Sequence, residues 1–551
     1  MTATTMARAE RRAPSRPGSA EPWAGTLDLL RLYLRLDRIR ILVWTVSIGL
    51  LVAGSVASMK QIYTTPESLQ ARAALMANPS AVMMTGPAFG LDNYTFGAMV
   101  ANELSLYLLL ATAIMSILLV VRHTRADEEA GRLEILRALP VGRFAPATAA
   151  ALTVMLANLL VGAALALGLV GTEMETASSL AMGAGAAVTG LVFGAVAVVT
   201  AQLTEHSRAA TGMALATLGA AFGVRAVGDV IDNQGSWLSW FSPLAWAQQT
   251  RLYVDLRWWP LALSLITVVV LLVVAVALSQ RRDLGAGLRK GKPGPAEATG
   301  SLLSPAGLAR RLLNGAFLGW MLGTFVLAVA CGSMANSLED AMMEIPTLGE
   351  WIAMDLDDLT SSFGASMLSF LAIAMVAFAV SAVLRLRTEE EAGRVEALLV
   401  TGSSRVGLLS GWLGCVALQT LVMAVVTGFG LGLGMWAATG DVVWVGRITA
   451  SALAYLPATY FIAAVAVALY GLLPRWATVS WVLVIWVAFV LFLGTLLDLP
   501  SWAMDLSPMA HTPLVPSVDV EATPLLTMSG LAVLLGFVGF LTYRRRDIVP
   551  G

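Results

Sequence analysis

Twelve stretches of roughly 20 mostly apolar residues constrain this chain more than any other feature. They lie near 39–59, 98–121, 144–170, 177–203, 209–228, 258–279, 314–334, 363–384, 405–435, 444–472, 477–497 and 523–543. A hydrocarbon core about 30 Å thick is crossed by roughly 20 residues of α-helix, and within lipid every backbone polar group has to be bonded inside the segment. Each stretch therefore predicts one spanning helix, and the expected fold class is all-α integral membrane with about 12 transmembrane helices. Composition agrees, with 57% hydrophobic and 13% charged residues, the latter about half the roughly 25% of a soluble domain. Many of the 50 glycines fall inside these stretches, as expected where helix backbones approach closely in lipid.

Lys and Arg beside a span remain on the cytoplasmic side. With the N-terminus inside, all but six of the 35 Lys and Arg fall in cytoplasmic segments, the six being Lys60, Arg72, Arg225, Arg251, Arg257 and Arg447. Both termini are thus expected in the cytoplasm, in a multi-pass protein of the cell membrane. Residues 1–24, rich in Ala, Arg, Pro and Ser, read as a disordered tail too far from the first apolar run to serve as a cleavable signal. A formal charge of −1 argues against a nucleic-acid partner, which requires a basic surplus. Cys331, Cys415 and three histidines are too few for a disulfide framework or a multi-ligand metal site.

The chain repeats itself. Arg125-Ala-Asp-Glu-Glu-Ala-Gly-Arg-Leu-Glu134 recurs 262 residues on as Arg387-Thr-Glu-Glu-Glu-Ala-Gly-Arg-Val-Glu396. Ser236-Trp237 with Ser242-Pro243 recurs as Ser501-Trp502 with Ser507-Pro508, and Arg281-Arg282-Asp283 as Arg545-Arg546-Asp547. The order predicts a tail at 1–24, a six-helix half at 25–280, a cytoplasmic Gly/Pro/Lys-rich linker at 281–304 and a second six-helix half at 305–551. Six spans per half make the repeats parallel, with a seam between them where such transporters bind ligands. Before each half's first span, Leu27–Leu36 and Leu308–Leu313 interleave apolar residues with Arg. That pattern suits a separate interfacial helix, the alternative being an extended cytoplasmic end of the span.

The matched acidic segments lie after spans two and eight. Read as one helix, each pairs charges at i,i+4: Arg125 with Glu129, Glu128 with Arg132, Arg387 with Glu391 and Glu390 with Arg394. Leu133 and Leu136, or Val395, Leu398 and Leu399, make an apolar edge. A solvated, salt-bridged loop accounts for the charges, about 0–1 kcal/mol per pair, but not for their duplication in register with Gly131 and Gly393; a shared docking role does.

Two six-span halves, an E-E-x-G-R-x-E element after the second span of each, a Ser-Pro segment before each last span and the terminal Arg-Arg-Asp resemble the permease subunits of type-2 ATP-binding-cassette exporters. The chain is most similar to the fused, double-length permeases of the actinobacterial polyketide-antibiotic exporter family, of the tetronasin type. The resemblance implies that the segments around Glu128 to Glu134 and Glu390 to Glu396 are coupling helices received by two copies of a separate P-loop ATPase. Arg125, Glu128, Glu129, Gly131, Arg132 and Glu134 would serve in one, and Arg387, Glu390, Glu391, Gly393, Arg394 and Glu396 in the other. It further implies ATP and Mg in those partners, with no cofactor in this chain, and export of a hydrophobic or amphipathic small molecule. It also makes the segments Trp237–Trp246 and Trp502–His511 short re-entrant helices at the outer mouth. A phosphate-cradling loop needs G-x-x-x-x-G-K-[ST]; the nearest string, Gly291-Lys292, is followed by Pro293 and has Ala286 at the first glycine. ATP hydrolysis would fall to another polypeptide, and this chain is expected not to be an enzyme.

Polar residues within spans are functional suspects. Asn158 in span three and Gln419 in span nine are candidates for the translocation path, although hydrogen bonding between helices is their commoner use. Glu103 faces the outer headgroups or lines a gate. Tyr455 and Tyr460, with Pro457, make span ten irregular. Two other readings compete: an ion-coupled secondary multidrug transporter, which would need carboxylates in its spans, and a non-transporting membrane signalling partner. An intramembrane enzyme is disfavoured, with no H-E-x-x-H and no evident Ser/His/Asp constellation.

Overall fold

The computed structural model describes residues 22–77, 79–281, 287–288, 296–336, 359–494 and 499–547, which are helix, turn and coil without a strand. Most of the tail and half of the linker lie outside the described residues. The chain divides into two compact units, Met1–Pro293 and Gly294–Gly551. Among the described residues, twelve helices are long and apolar enough to cross a membrane. In the first unit they are α1 (Thr26–Ile62), α2 (Phe96–Glu129), α3 (Ala145–Gly171), α4 (Thr176–Leu203), α5 (Ser207–Ile231) and α6 (Pro260–Ser279). The second unit holds α7 (Pro305–Gly332), α8 (Leu359–Glu391), α9 (Arg405–Thr439), α10 (Val443–Leu472), α11 (Pro474–Phe492) and α12 (Ala522–Arg545).

The interfacial-helix expectation is overturned. Leu27–Leu36 and Leu308–Leu313 are the opening turns of α1 and α7, each running unbroken into its span. At 37 residues α1 is about 55 Å long, well beyond a hydrocarbon core of about 30 Å, so its Arg-rich start is the water-side extension of the span. Nothing in that stretch breaks a helix: it carries no Gly or Pro after Gly25 and is rich in Leu and Arg, both good helix formers.

Local chemistry sets the helix ends. Glu175 accepts from the amides of Ala177 (3.1 Å) and Ser178 (2.9 Å) to cap α4, and the bond to Ser178 holds its carboxyl below the usual range. Ser304 and Ser404 cap α7 and α9 through the amides of Gly307 (3.1 Å) and Gly407 (2.9 Å), occupying the preferred N-cap role of a hydroxyl. Span ten is irregular as expected: the tight turn Leu453–Tyr455 interrupts α10 and is followed by Pro457 in the first turn of the continuing helix.

Within each unit the second span is among the most enclosed helices and the last among the most exposed, α2 and α8 against α6 and α12. Lipid tails are as apolar as Leu, so association rests on close packing rather than on expulsion of water. The contact of α3 with α4 shows how: a Cβ at Gly183 would stand 2.3 Å from the carbonyl oxygen of Gly162, and one at Gly162 would stand 2.6 Å from that of Gly183. Gly183→Leu is therefore expected to force these helices apart, costing about 2 kcal/mol, and to lower the midpoint of heat-induced loss of the monodisperse peak in size-exclusion chromatography.

Short helices fill the connections at the ends of the spans away from the acidic motif. They are Pro66–Met76 and Pro79–Thr85 before α2, Ser239–Phe241 and Pro243–Gln248 before α6, and Ser501–Asp505 and Pro508–His511 before α12. Both Ser-Pro elements are thus helical, with Ser242 capping its helix through the amide of Leu244.

Candidate coupling site

The acidic motif does not form one helix. In both units it is two helical pieces joined by an elbow at a left-handed glycine, Gly131 (φ 71°, ψ 1°) and Gly393 (φ 72°, ψ 0°). The Gly131 amide bonds the carbonyl of Glu128 (3.0 Å) and that of Gly393 the carbonyl of Glu390 (2.8 Å), the tight closure a left-handed glycine gives a helix end. A short second helix follows, Arg132–Arg137 or Arg394–Val400.

The elbow changes the pairing. Of the four i,i+4 pairs expected from a continuous helix, Arg387–Glu391 forms, at 2.7 Å; Arg132 and Arg394 take other partners because the chain turns at the glycine. Arg132 crosses the elbow to Asp127 at 2.8 Å and Arg394 crosses it to Glu389, the same five-residue reach at positions 262 apart. The bond to Glu389 holds the Arg394 guanidinium above its ordinary value. Arg125 bonds Glu128 at 2.9 Å, three residues on, where a π-helical turn at Arg122–Ala126 buries the arginine. Glu129 reaches the start of α5, accepting from the amide (2.9 Å) and hydroxyl (2.6 Å) of Ser207 with His206 at 3.3 Å. A carboxylate at a helix N-terminus satisfies free amides and meets the positive end of the dipole.

Glu390 is buried. It receives both terminal nitrogens of Arg546, each at 2.6 Å, and the Tyr470 hydroxyl. The Arg546 guanidinium lies over the rings of Tyr470 (4.8 Å) and Tyr543 (5.0 Å), so the second elbow is fastened to the end of α12. The first elbow has a different backing. Asp37 of α1, fully buried, bonds His123, Arg40 (2.7 Å) and Arg122 (3.1 Å), and the His123 ring stacks on Tyr33 at 4.3 Å.

The motif's side chains accordingly divide. Arg125 and Glu390 are buried and Glu128 is nearly so, all used internally. Arg132, Glu134, Glu391, Arg394 and Glu396 are exposed, with Ile135 and Val400 beside them at 69% and 84% exposure. Asp127, Glu389, Asp37, His123 and Arg546 were not read as site residues. The signal for the first two was their fixed distance from Arg132 and Arg394, five residues, which helical i,i+4 reasoning skips; for Arg546 it was the repeated Arg-Arg-Asp. Asp37 and His123, 86 residues apart, carry no local signal.

The polar residues of the spans are mostly engaged. Asn158, fully buried, donates to Ser116 (2.8 Å) and to the carbonyl of Val154 (2.9 Å) and accepts from Ser116 (3.1 Å), bonding α3 to α2. Gln419 donates to Asn314 (3.2 Å), while its own buried carbonyl oxygen has no hydrogen-bond partner among the described residues. Tyr455 bonds Ser369 (2.7 Å) and Tyr460 the carbonyl of Ala417 (2.9 Å). Glu103 is held by Arg72 in two parallel bonds of 2.7 and 3.0 Å. Burial alone would lower the Arg72 guanidinium, but those bonds outweigh it and hold it raised.

Twelve membrane-length helices among the described residues, in two units each bearing the same elbow, define a multi-pass membrane protein. The C-terminal-domain model of the multidrug efflux system permease Rv1217c matches residues 302–544. Over its full length the chain is 37% identical to the multidrug efflux system permease protein Rv1217c of Mycobacterium tuberculosis (strain ATCC 25618 / H37Rv), covering 100% of each chain. The chain belongs to this family of multidrug efflux system permeases.

Proposed function

We propose that this protein is the permease subunit of a type-2 ATP-binding-cassette exporter in fused, double-length form. It moves hydrophobic or amphipathic, drug-like compounds out of the cytoplasm, driven by two copies of a separate P-loop ATPase that supply the ATP and Mg chemistry. The observation that carries this reading is the elbow, built twice with the same glycine conformation and the same charge pair across it. A fixed lever repeated once per half suits a force delivered twice, and kinship with a multidrug efflux permease supports the cargo class. The ATPases receive the exposed faces around Arg132, Glu134 and Ile135 and around Glu391, Arg394, Glu396 and Val400. Glu128, Arg125 and Glu390 act behind them, transmitting movement to the spans. Nucleotide binding favours the conformation in which both elbows are engaged, shifting the spans between inward and outward states. Gln419, with its unsatisfied oxygen, and Tyr460 are the strongest candidates in the second half for contact with cargo, while Asn158 serves as glue.

The ion-coupled alternative needs a carboxylate free to load and release an ion. Glu103, Asp229 and Asp37 are each matched by arginine, in Asp229's case by Arg225 at 3.2 Å, which weighs against it. The deciding experiment reconstitutes the chain in vesicles with each candidate P-loop ATPase and measures efflux of a fluorescent hydrophobic cation. Efflux that requires both the ATPase and hydrolysable ATP is expected. Efflux driven by an ion gradient without nucleotide would overturn the reading.

A further inference from the structure

We propose that the first unit binds one acidic phospholipid in a groove between α1, α2 and α5, at the basic ends of these spans. The groove encloses about 870 Å³. Its walls are apolar, with Val43, Trp44 and Leu118 among the lining residues, and its rim carries Arg40, Arg122 and Arg208. Each arginine stands where its helix passes from charged to apolar sequence: α1 is apolar from Ile41 onward, α2 up to Val121, and α5 from Ala209. That transition marks headgroup depth, cytoplasmic by the distribution of Lys and Arg. Arginines from three helices around one apolar opening form the kind of basic pocket between spans that takes an acidic lipid headgroup.

The charge balance supports an anion. Asp37 is shared by Arg40, Arg122 and His123. Of the nearby carboxylates, Asp127 is paired with Arg132, and Glu129 is held at the groove's edge by Ser207 and His206. Arg208 is exposed and makes no ion pair among the described residues. Asp37 thus answers Arg40 and Arg122, and Arg208 is left as the rim's free cation among the described residues. An apolar wall beside a cationic rim asks for an acyl chain and a phosphate in one molecule. Inorganic phosphate lacks the chain, and a zwitterionic lipid lacks the net charge. The second half does not repeat the rim, since Leu384 stands 262 residues on from Arg122. Ala126 and Ser207 also line the groove, so a lipid there lies against the π-helical turn and the Glu129 cap of the first elbow.

Native mass spectrometry of the full-length, detergent-purified chain titrated with dioleoyl phosphatidylglycerol or dioleoyl phosphatidylcholine tests this. Two variants separate head from tail: Arg208→Gln removes the unpaired cation, and Gly212→Phe projects a ring into the groove from a position where an added Cβ meets nothing within 4 Å. One phosphatidylglycerol is expected to be retained. Arg208→Gln should weaken its retention about fivefold, Arg208→Lys should restore it, and Gly212→Phe should abolish it, both variants eluting as the parent does. Equal retention of phosphatidylcholine, or parental retention of phosphatidylglycerol by Gly212→Phe, would overturn the proposal. So would displacement of the lipid by millimolar inorganic phosphate, which would mark a bare anion site.

Discussion

The chain carrying both Ile135→Glu and Val400→Glu is expected to insert and fold normally and to lose nucleotide-driven efflux together with capture of the ATPase. Both side chains are exposed on the short helix beyond the elbow and contribute nothing visible to the packing of either unit, so their replacement leaves the spans intact. If the ATPases receive these faces, each glutamate puts a charge into an apolar contact. A central interface residue is commonly worth about 2 kcal/mol or more, or about 30-fold in affinity, and the two lesions act on separate ATPase copies. The checks are co-purification of the ATPase and transport in reconstituted vesicles. A double variant that still captures the ATPase and exports at the parental rate would place the docking surface elsewhere.

Arg546→Ala is expected to have the largest effect on the stability of the second unit. It leaves Glu390 buried with the Tyr470 hydroxyl as its remaining partner and empties the space between Tyr470 and Tyr543. Removing one member of a buried ion pair costs roughly 3–5 kcal/mol, whereas replacing both by apolar residues of similar volume is often close to neutral. Glu390→Met with Arg546→Met should therefore be markedly more stable than Arg546→Ala, judged by the temperature at which the monodisperse peak is lost. If the clamp also carries motion from the elbow to α12, the double variant keeps its stability while its ATP hydrolysis is uncoupled from efflux. An unchanged midpoint for Arg546→Ala would show that the clamp does not hold the unit together.

Much of this architecture is legible in the sequence. A span declares itself by length and apolarity, because lipid imposes both on a single segment, and each of the twelve stretches overlaps a membrane-length helix, with some helices, α1 above all, extending well beyond the apolar stretch. Irregularity at Tyr455 and Pro457 was equally readable, since proline removes a donor and a bond from the helix. The start of α1 is ambiguous in sequence because Arg interleaved with Leu describes the water-side end of a long span as well as it describes a helix lying in the interface. The motif departs from its sequence pattern for a different reason. Spacing alone treats Gly131 and Gly393 as helical, and only their left-handed backbone reveals that Arg132 and Arg394 turn back to Asp127 and Glu389.

Fold class, span number and the duplicated acidic motif were determined by the sequence, because hydropathy and repetition are properties of segments read one at a time. Which of the motif's charges face outward and which are fastened inward was decided by tertiary structure. Glu390 meets Arg546 across 156 residues and Asp37 meets His123 across 86, and such partners are set by helix packing, for which linear spacing supplies no rule.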